Sequence, residues 1–385
     1  MMGLYIHIPF CKKKCNYCSF FSPFYPEETL VEKYINYVIK EIELYLEKFE
    51  LTGIFTIYIG GGTPSLIKEA TLEKLFKFFD KKNLLNAKEI TIEANPEDIT
   101  LEKAKFYKEC GINRVSLGFQ SMDDNILSFL GRRNTSYDNC RSFEFLRKAE
   151  IENISIDWIS SVFEGDSEKL LEAISCFNAA HNSIYTLTIE RGTPIFKFWK
   201  NKIFTPKSDV DTSNDYRKIS RRLKKLGYIQ YEVSNFAREE KFFSRHNLTY
   251  WNYGKYIGAG MGAVGFFYEN NSNDFNGIRW TNFKNFKSYF CFLDEGKLPV
   301  ANKEKIDFST AIKEFVMLGL RKTEGFGLGD FENIFHKDFY DCFCCDKIYS
   351  LKKYIKITKD RIAVRKKFFP VMNEIIRKIW DMAMI

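Results

Sequence analysis

A parallel α/β fold is predicted for the first half of this chain, on three observations. Short β-rich runs alternate with longer stretches of helical period over the first two hundred residues. The stretches between runs are long enough for a helical crossover, as parallel strands require. The runs read as near-continuously apolar, the pattern of strands buried on both faces. The predicted strands are Leu4–Ile8, Phe55–Gly60, Glu89–Ala94, Arg114–Phe119, Ile154–Ser160 and Ser183–Ile189. Between the first two, Leu30, Tyr34, Tyr37, Val38, Ile42, Tyr45 and Phe49 recur at three- and four-residue steps, which predicts a helix over Leu30–Phe49. Pattern alone does not separate an open sheet from a barrel. In either, ligands gather at the C-terminal strand ends.

The character changes near residue 200. Lys197–Thr212 is polar, contains Pro206 and reads as a connection. Thr212–Leu226 reads as a helix with a charged outer face, and Asn270–Gly277 as a polar loop. From about residue 301 a smaller segment follows, with one clear helix at Ser309–Leu320, glycine-punctuated turns and a basic tail.

Composition narrows the function. The 385 residues are 45% hydrophobic and 28% charged, which fits a globular protein and not a disordered one. The opening MMGLYIHIPF lacks a basic stretch followed by an apolar run, so no signal peptide is expected. No uncharged run is long and apolar enough to predict a membrane span. Ten cysteines in a chain of this length do not make a disulfide scaffold, which predicts a reducing, cytoplasmic setting. The net charge of +8 permits an anionic ligand or a membrane surface without demanding nucleic acid.

The strongest chemical signal is Cys11-x-x-x-Cys15-x-x-Cys18, directly after the first strand. Three thiolates in eight positions can converge on a soft metal centre: an iron–sulfur cluster, Cu(I) or zinc. Three ligands leave one iron of a [4Fe–4S] cluster open to a non-protein ligand. Spacing alone leaves a partial zinc site or unpaired thiols as alternatives.

The surrounding residues add a resemblance. Tyr5-x-His7-Ile8-Pro9-Phe10-Cys11 and the CxxxCxxC spacing resemble the radical S-adenosylmethionine (SAM) superfamily. The branch they resemble is that of the oxygen-independent coproporphyrinogen III oxidases and the related haem chaperones. The resemblance implies a partial (β/α)6 barrel with a smaller C-terminal α+β, winged-helix-like domain. It divides the chain into a radical SAM core (1–235), a segment carrying a haem motif (236–300) and the C-terminal domain (301–385). It implies a [4Fe–4S] cluster on Cys11, Cys15 and Cys18. SAM would chelate the open iron and, on reduction, yield a 5′-deoxyadenosyl radical.

Further positions match the family one by one. Gly60-Gly61-Gly62-Thr63-Pro64 follows the second strand, where glycines let backbone approach a ligand. Gly61, Gly62 and Thr63 resemble the element for the SAM amino group. Glu93, Gln120, Arg132 and Asp157 resemble the positions that contact its ribose, carboxylate and amino groups. Tyr5 and Tyr17 match aromatic positions beside the cluster. Two departures stand out. Asn134 replaces a histidine common in relatives, and Ser160–Gly165 replaces an aromatic-Gly-Leu-Pro turn.

One position and one motif separate the subfamilies. The decarboxylases resemble CxxxCxxCxC, and the fourth cysteine is here Phe20. His246-Asn247-Leu248-Thr249-Tyr250-Trp251 resembles the HNxxYW motif of the haem chaperones. A neutral imidazole suits haem iron. Tyr250 and Trp251 offer flat faces to a macrocycle, and Arg245 could meet a propionate. His246 as an ordinary core or capping histidine is the alternative. The resemblance thus implies a haem carrier delivering to respiratory-chain haem proteins. It would work in the cytoplasm with peripheral contact at the inner membrane, as a homodimer, and with no nucleic-acid partner. The competing enzyme reading is oxidative decarboxylation of coproporphyrinogen III. Cys342, Cys344 and Cys345 read as incidental thiols, and the basic tail as a solvated face.

Overall fold

Alternation along the strands decides the architecture. In the computed structural model, which describes residues 2–51, 53–269 and 275–384, six parallel strands lie side by side in chain order. They are β1 (Met2–Ile8), β2 (Thr56–Gly61), β3 (Glu89–Ala94), β4 (Arg114–Gln120), β5 (Asn153–Ser160) and β6 (His181–Thr186). Every crossover between them carries at least one helix. Residues such as Leu4, Ile6, Ile57, Ile59, Val115, Leu117, Ile156 and Trp158 point one way and are fully buried. They pack against helices, among them Val31, Tyr34, Ile35, Val38 and Ile42 of helix Glu28–Lys48. The residues between them, including Tyr58, Glu93, Ser116, Gly118, Asp157 and Ser183, line a cleft on the other face. The expectation of near-continuously apolar strands is thus corrected. Only the outer face is apolar, because the inner face encloses a polar site instead of a packed core.

The barrel is partial. β6 does not close onto β1. It pairs antiparallel with β8 (Asn235–Ala237), which pairs in turn with β7 (Ile229–Gln230). On the other side β1 pairs with β9 (Lys255–Ala259), and the sheet continues through β10 (Val264–Glu269), β11 (Asn276–Asn282) and β12 (Val300–Ile306). One twelve-stranded sheet results among the described residues. Strands β9 to β11 of the 236–300 segment therefore extend the core sheet, and β12 lies across the expected boundary at 300/301.

Several predicted elements shift for local reasons. The last strand was expected over Ser183–Ile189, but β6 is His181–Thr186, and Leu187 leaves the ladder to donate to the Ser160 carbonyl. The first residues of the expected connection Lys197–Thr212 belong to helix Pro194–Lys200, started by the Thr193 hydroxyl and by proline in its first turn. The helix expected over Thr212–Leu226 starts earlier, at Asp209, because Ser208 caps it by accepting the Asp211 N–H. Residues 270–274 of the expected polar loop lie outside the described residues.

The C-terminal segment forms the smaller α+β unit that was expected. Helix Phe308–Gly319, capped by Asp307, packs with helices Leu328–Phe335 and Met372–Trp380. A three-stranded sheet of β13 (Phe326–Gly327), β14 (Ile355–Ile357) and β15 (Arg361–Val364) completes it, with β15 central. Phenylalanines 315, 326, 331, 335, 339 and 343 dominate its core. Cys342 is buried in that core and Cys345 faces solvent. Among the described residues no helix is long and apolar enough to cross a membrane.

Candidate cofactor site

The loop after β1 carries Cys11, Cys15 and Cys18 over the C-terminal ends of the strands, where all three line the mouth of a cleft of about 470 Å³. The loop is tied down at several points. Tyr25 N–H donates to the Cys11 carbonyl at 2.9 Å, and Cys18 N–H to the Cys15 carbonyl at 3.2 Å. Asn16 is held by the segment after β4: its amide N–H donates to the Leu130 carbonyl at 2.9 Å and its side chain to the Phe129 carbonyl at 2.7 Å. Burial raises the Cys11 and Cys18 thiol pKa values, and hydrogen bonds, from Thr63 to Cys11 and from the Phe20 backbone to Cys18, partly oppose it. Tyr17 lines the same cleft and packs with Ile126, Leu130, Ile159 and Val162.

The glycine run serves the frame first. Gly61 has φ of +117°, and a Cβ there would lie 2.4 Å from the His7 ring. A Cβ on Gly62 would strike the Pro9–Phe10 backbone at 2.7 Å. The run is thus glycine so that β2 can press against the end of β1 and the cysteine loop. Thr63 turns its hydroxyl to the Cys11 sulfur at 3.4 Å.

The four polar positions converge on the cleft. Glu93 accepts the Tyr58 hydroxyl at 2.7 Å and the Gly61 N–H at 2.9 Å, and burial lifts its pKa to about 7. Asp157 accepts the Ser116 hydroxyl at 2.9 Å, and burial raises its pKa as well. Gln120 sits at φ of +67°, just past a register shift in the β4–β5 pairing. Arg132 reaches from the loop after β4 and donates to the Asn95 side chain and the Gly118 carbonyl, both at 2.8 Å. Sequence reasoning missed Tyr58, Asn95, Arg114, Ser116 and Tyr185, which also line the cleft. Period-two alternation of polar residues in RVSLGFQ and NISIDWIS was the available signal.

The haem-motif residues lie elsewhere. Helix Arg245–Trp251 seals the N-terminal end of the barrel, and Glu89 at the start of β3 accepts the Arg245 and His246 N–H groups at 2.9 and 3.0 Å. His246 is 1% exposed. Its Nδ1 is 2.9 Å from the Thr56 hydroxyl and its Nε2 2.8 Å from the Tyr250 hydroxyl. Its ring stacks on Tyr58 with centroids 5.1 Å apart. Burial drives its pKa down to about 3, so the ring is neutral. The expected axial ligand is therefore placed as a core histidine with both nitrogens engaged. Tyr250 and Trp251 line a second, largely apolar groove of about 620 Å³ with Tyr5, Tyr256, Phe266 and Met317. Tyr5 opens onto this groove, not onto the cysteine cleft, and its hydroxyl lies 2.9 Å from His7 Nδ1. Only Asn247 of the motif reaches the cleft.

The donor chemistry fits the expected groups. Three thiols line one mouth. Among the described residues no three His, Cys, Asp or Glu side chains, these thiols included, are grouped closely enough to hold a metal ion. Behind the thiols lie the half-buried carboxyls of Glu93 and Asp157, the arginines Arg114 and Arg132 and a line of hydroxyls, complementary to an amino-acid head and a ribose.

Comparison with known proteins agrees. The radical SAM superfamily model matches residues 5–173. The "Heme chaperone HemW" of Bacillus subtilis (strain 168) is 34% identical over 333 residues, 84% of this chain and 84% of that protein. Its namesake in Lactococcus lactis subsp. lactis (strain IL1403) is 33% identical over 384 residues, 97% of this chain and 96% of that one. Coproporphyrinogen III oxidase (HemN) from Escherichia coli, a radical SAM enzyme, shares the fold with a TM-score of 0.77 at 20% identity. That match covers 99% of this chain and 89% of the oxidase. Thiol spacing, strand order and near-full-length sequence similarity lead to one assignment: the chain belongs to the radical SAM superfamily, in its HemW-type, coproporphyrinogen-oxidase-like branch.

Proposed function

We propose that the chain is a haem carrier that also binds a [4Fe–4S] cluster and SAM. The observation that carries this reading is sequence similarity to the two heme chaperones over 84% and 97% of the chain. Phe20 supports it, standing 66% exposed where the decarboxylases have their fourth cysteine. Cys11, Cys15 and Cys18 would hold the cluster. Glu93 would meet the SAM amino group, with Gly61, Gly62 and Thr63 shaping that end, and Gln120, Arg132 and Asp157 would meet its carboxylate and ribose. When bound and reduced, the cluster supplies the electron that cleaves the SAM sulfonium. The protein's own part is to seat these groups and to keep water out from below, which the helix Arg245–Trp251 does.

Haem would use the second groove. Tyr250 and Trp251 supply flat faces there, and His246 holds Tyr250 in place through its Nε2. On this reading the acceptors are haem proteins of the respiratory chain. They are met from the cytoplasm at the inner membrane by a carrier that pairs with a second copy and ignores nucleic acid.

Haemin titrated into the anaerobically reconstituted chain, followed at the Soret band, tests the reading. Saturable binding that weakens in Trp251→Ala is expected. Absence of saturable binding, with conversion of coproporphyrinogen III in the presence of SAM and a reductant, would replace the carrier by the decarboxylase.

A further inference from the structure

The three cysteines are not equivalent. Cys11 receives a hydrogen bond from a neutral hydroxyl, that of Thr63. Cys15 receives one from a cation: Arg132 Nη1 lies 3.6 Å from its sulfur. The same guanidinium is anchored on three further sides. Its Nε donates to Asn134 Oδ1 at 2.9 Å, and its Nη2 to Asn95 Oδ1 and to the Gly118 carbonyl, both at 2.8 Å. Asn134 is itself fixed. It is 3% exposed and donates to Asn139 Oδ1 at 2.8 Å, and Asn139 in turn donates to the Ser121 carbonyl at 2.8 Å. A chain of amides therefore runs from β4 to one cysteine sulfur and ends in a positive charge.

We infer that Arg132 is a positioning residue for the cluster: held by Asn134, it fixes Cys15 and favours the reduced cluster. The inference rests on the three-cysteine cluster and adds to it a role that SAM contact alone does not require. Its physical basis is twofold. A planar guanidinium bound at several edges has little freedom left to lose when it also donates to sulfur. A fixed cation beside a thiolate ligand stabilises the form of the cluster that carries the extra negative charge, so it raises the reduction potential. Reduction adds one electron to the cluster, delivered by dithionite in the test, and the arginine keeps its proton throughout.

The test is a redox titration of the reconstituted full-length chain without SAM, with the reduced cluster followed by electron paramagnetic resonance. Iron and sulfide are counted in parallel. Arg132→Met should reduce the equilibrium constant for reduction at least tenfold, a shift of about 59 mV to lower potential for a one-electron couple. Arg132→Lys should recover part of that loss, because the charge returns without the fork. Asn134→Ala should give a smaller shift in the same direction, since the arginine stays but loses its Nε partner. Thr63→Val, which acts on Cys11 without a charge, should shift least.

An intact cluster at the wild-type potential in Arg132→Met, with only SAM affinity reduced, would assign the arginine to SAM alone and overturn the inference. Where Arg132→Met fails to hold iron, wild-type potentials in both Arg132→Lys and Asn134→Ala would overturn it equally. Wild-type protein that takes up neither iron nor sulfide would overturn the cluster assignment, and the inference with it.

Discussion

The two ends of the barrel are built from the same strands and do opposite things with them. At the C-terminal end the inward residues Glu93, Gly118, Gln120 and Asp157 face a cleft. At the N-terminal end the inward residues Thr56 and Glu89 face a helix, and the protein's own His246 fills the space. The buried floor engages both nitrogens of its histidine internally, and the mouth leaves carboxyls and thiols for other partners. A histidine within a ligand-like motif can thus be a plug, whereas cysteines on a tethered loop stay presented. Burial, more than residue type, separates the two roles.

The contrast predicts where substitutions hurt. His246→Ala removes a stacked ring and two hydrogen bonds from the floor. It should destabilise the cluster-free protein by about 3–5 kcal/mol, read by urea unfolding. A loss under 1 kcal/mol would mean that the floor is loose and the ring available. Gly61→Ala forces an unfavourable φ and a contact with His7. It should cost about 1–3 kcal/mol by the same measurement, and more if β2 must move. Replacing Cys11, Cys15 and Cys18 together with alanine should abolish iron and sulfide uptake. The same change should alter unfolding of the cluster-free chain by less than about 1 kcal/mol. A large destabilisation there would erase the distinction between mouth and floor.

The pH dependence of SAM binding sharpens the contrast further. Burial raises the Glu93 pKa to about 7, so below that pH the carboxyl must lose a proton before it can accept, as a carboxylate, the N–H of the SAM amino group. Affinity should therefore rise with pH, by up to roughly tenfold per unit below 7, and level off above. Glu93→Gln should bind more weakly with this rise removed, as isothermal calorimetry at several pH values would show. A wild-type profile flat from pH 5.5 to 8 would detach Glu93 from the amino group.

Much of this was legible in the chain. The six parallel strands followed from periodicity, and the cysteine loop from spacing. The interior polarity was legible too, in the alternation of RVSLGFQ and NISIDWIS, but reading those strands as uniformly apolar hid it. The strands β7 to β12 were not anticipated. β7 and β8 are two and three residues long, too short to leave a period, and β12 carries a run of exposed charges that reads as loop. The sequence left two readings of His246, haem ligand or core histidine, and could not decide between them. The partners of that histidine, Thr56 and Tyr58, lie nearly two hundred residues away in sequence, and only the sheet brings them under the helix.

The unclosed sheet has a consequence for self-association. An open sheet ends in two strands with unpaired backbone groups, where another chain could add a strand. Here β7 offers only two residues, and β12 presents Lys303, Glu304 and Lys305 exposed to solvent. Both borders are poor templates for strand addition. Copies of this protein at high concentration should stay free of sheet-extended fibres, and any pairing of copies would rest on side chains at other surfaces.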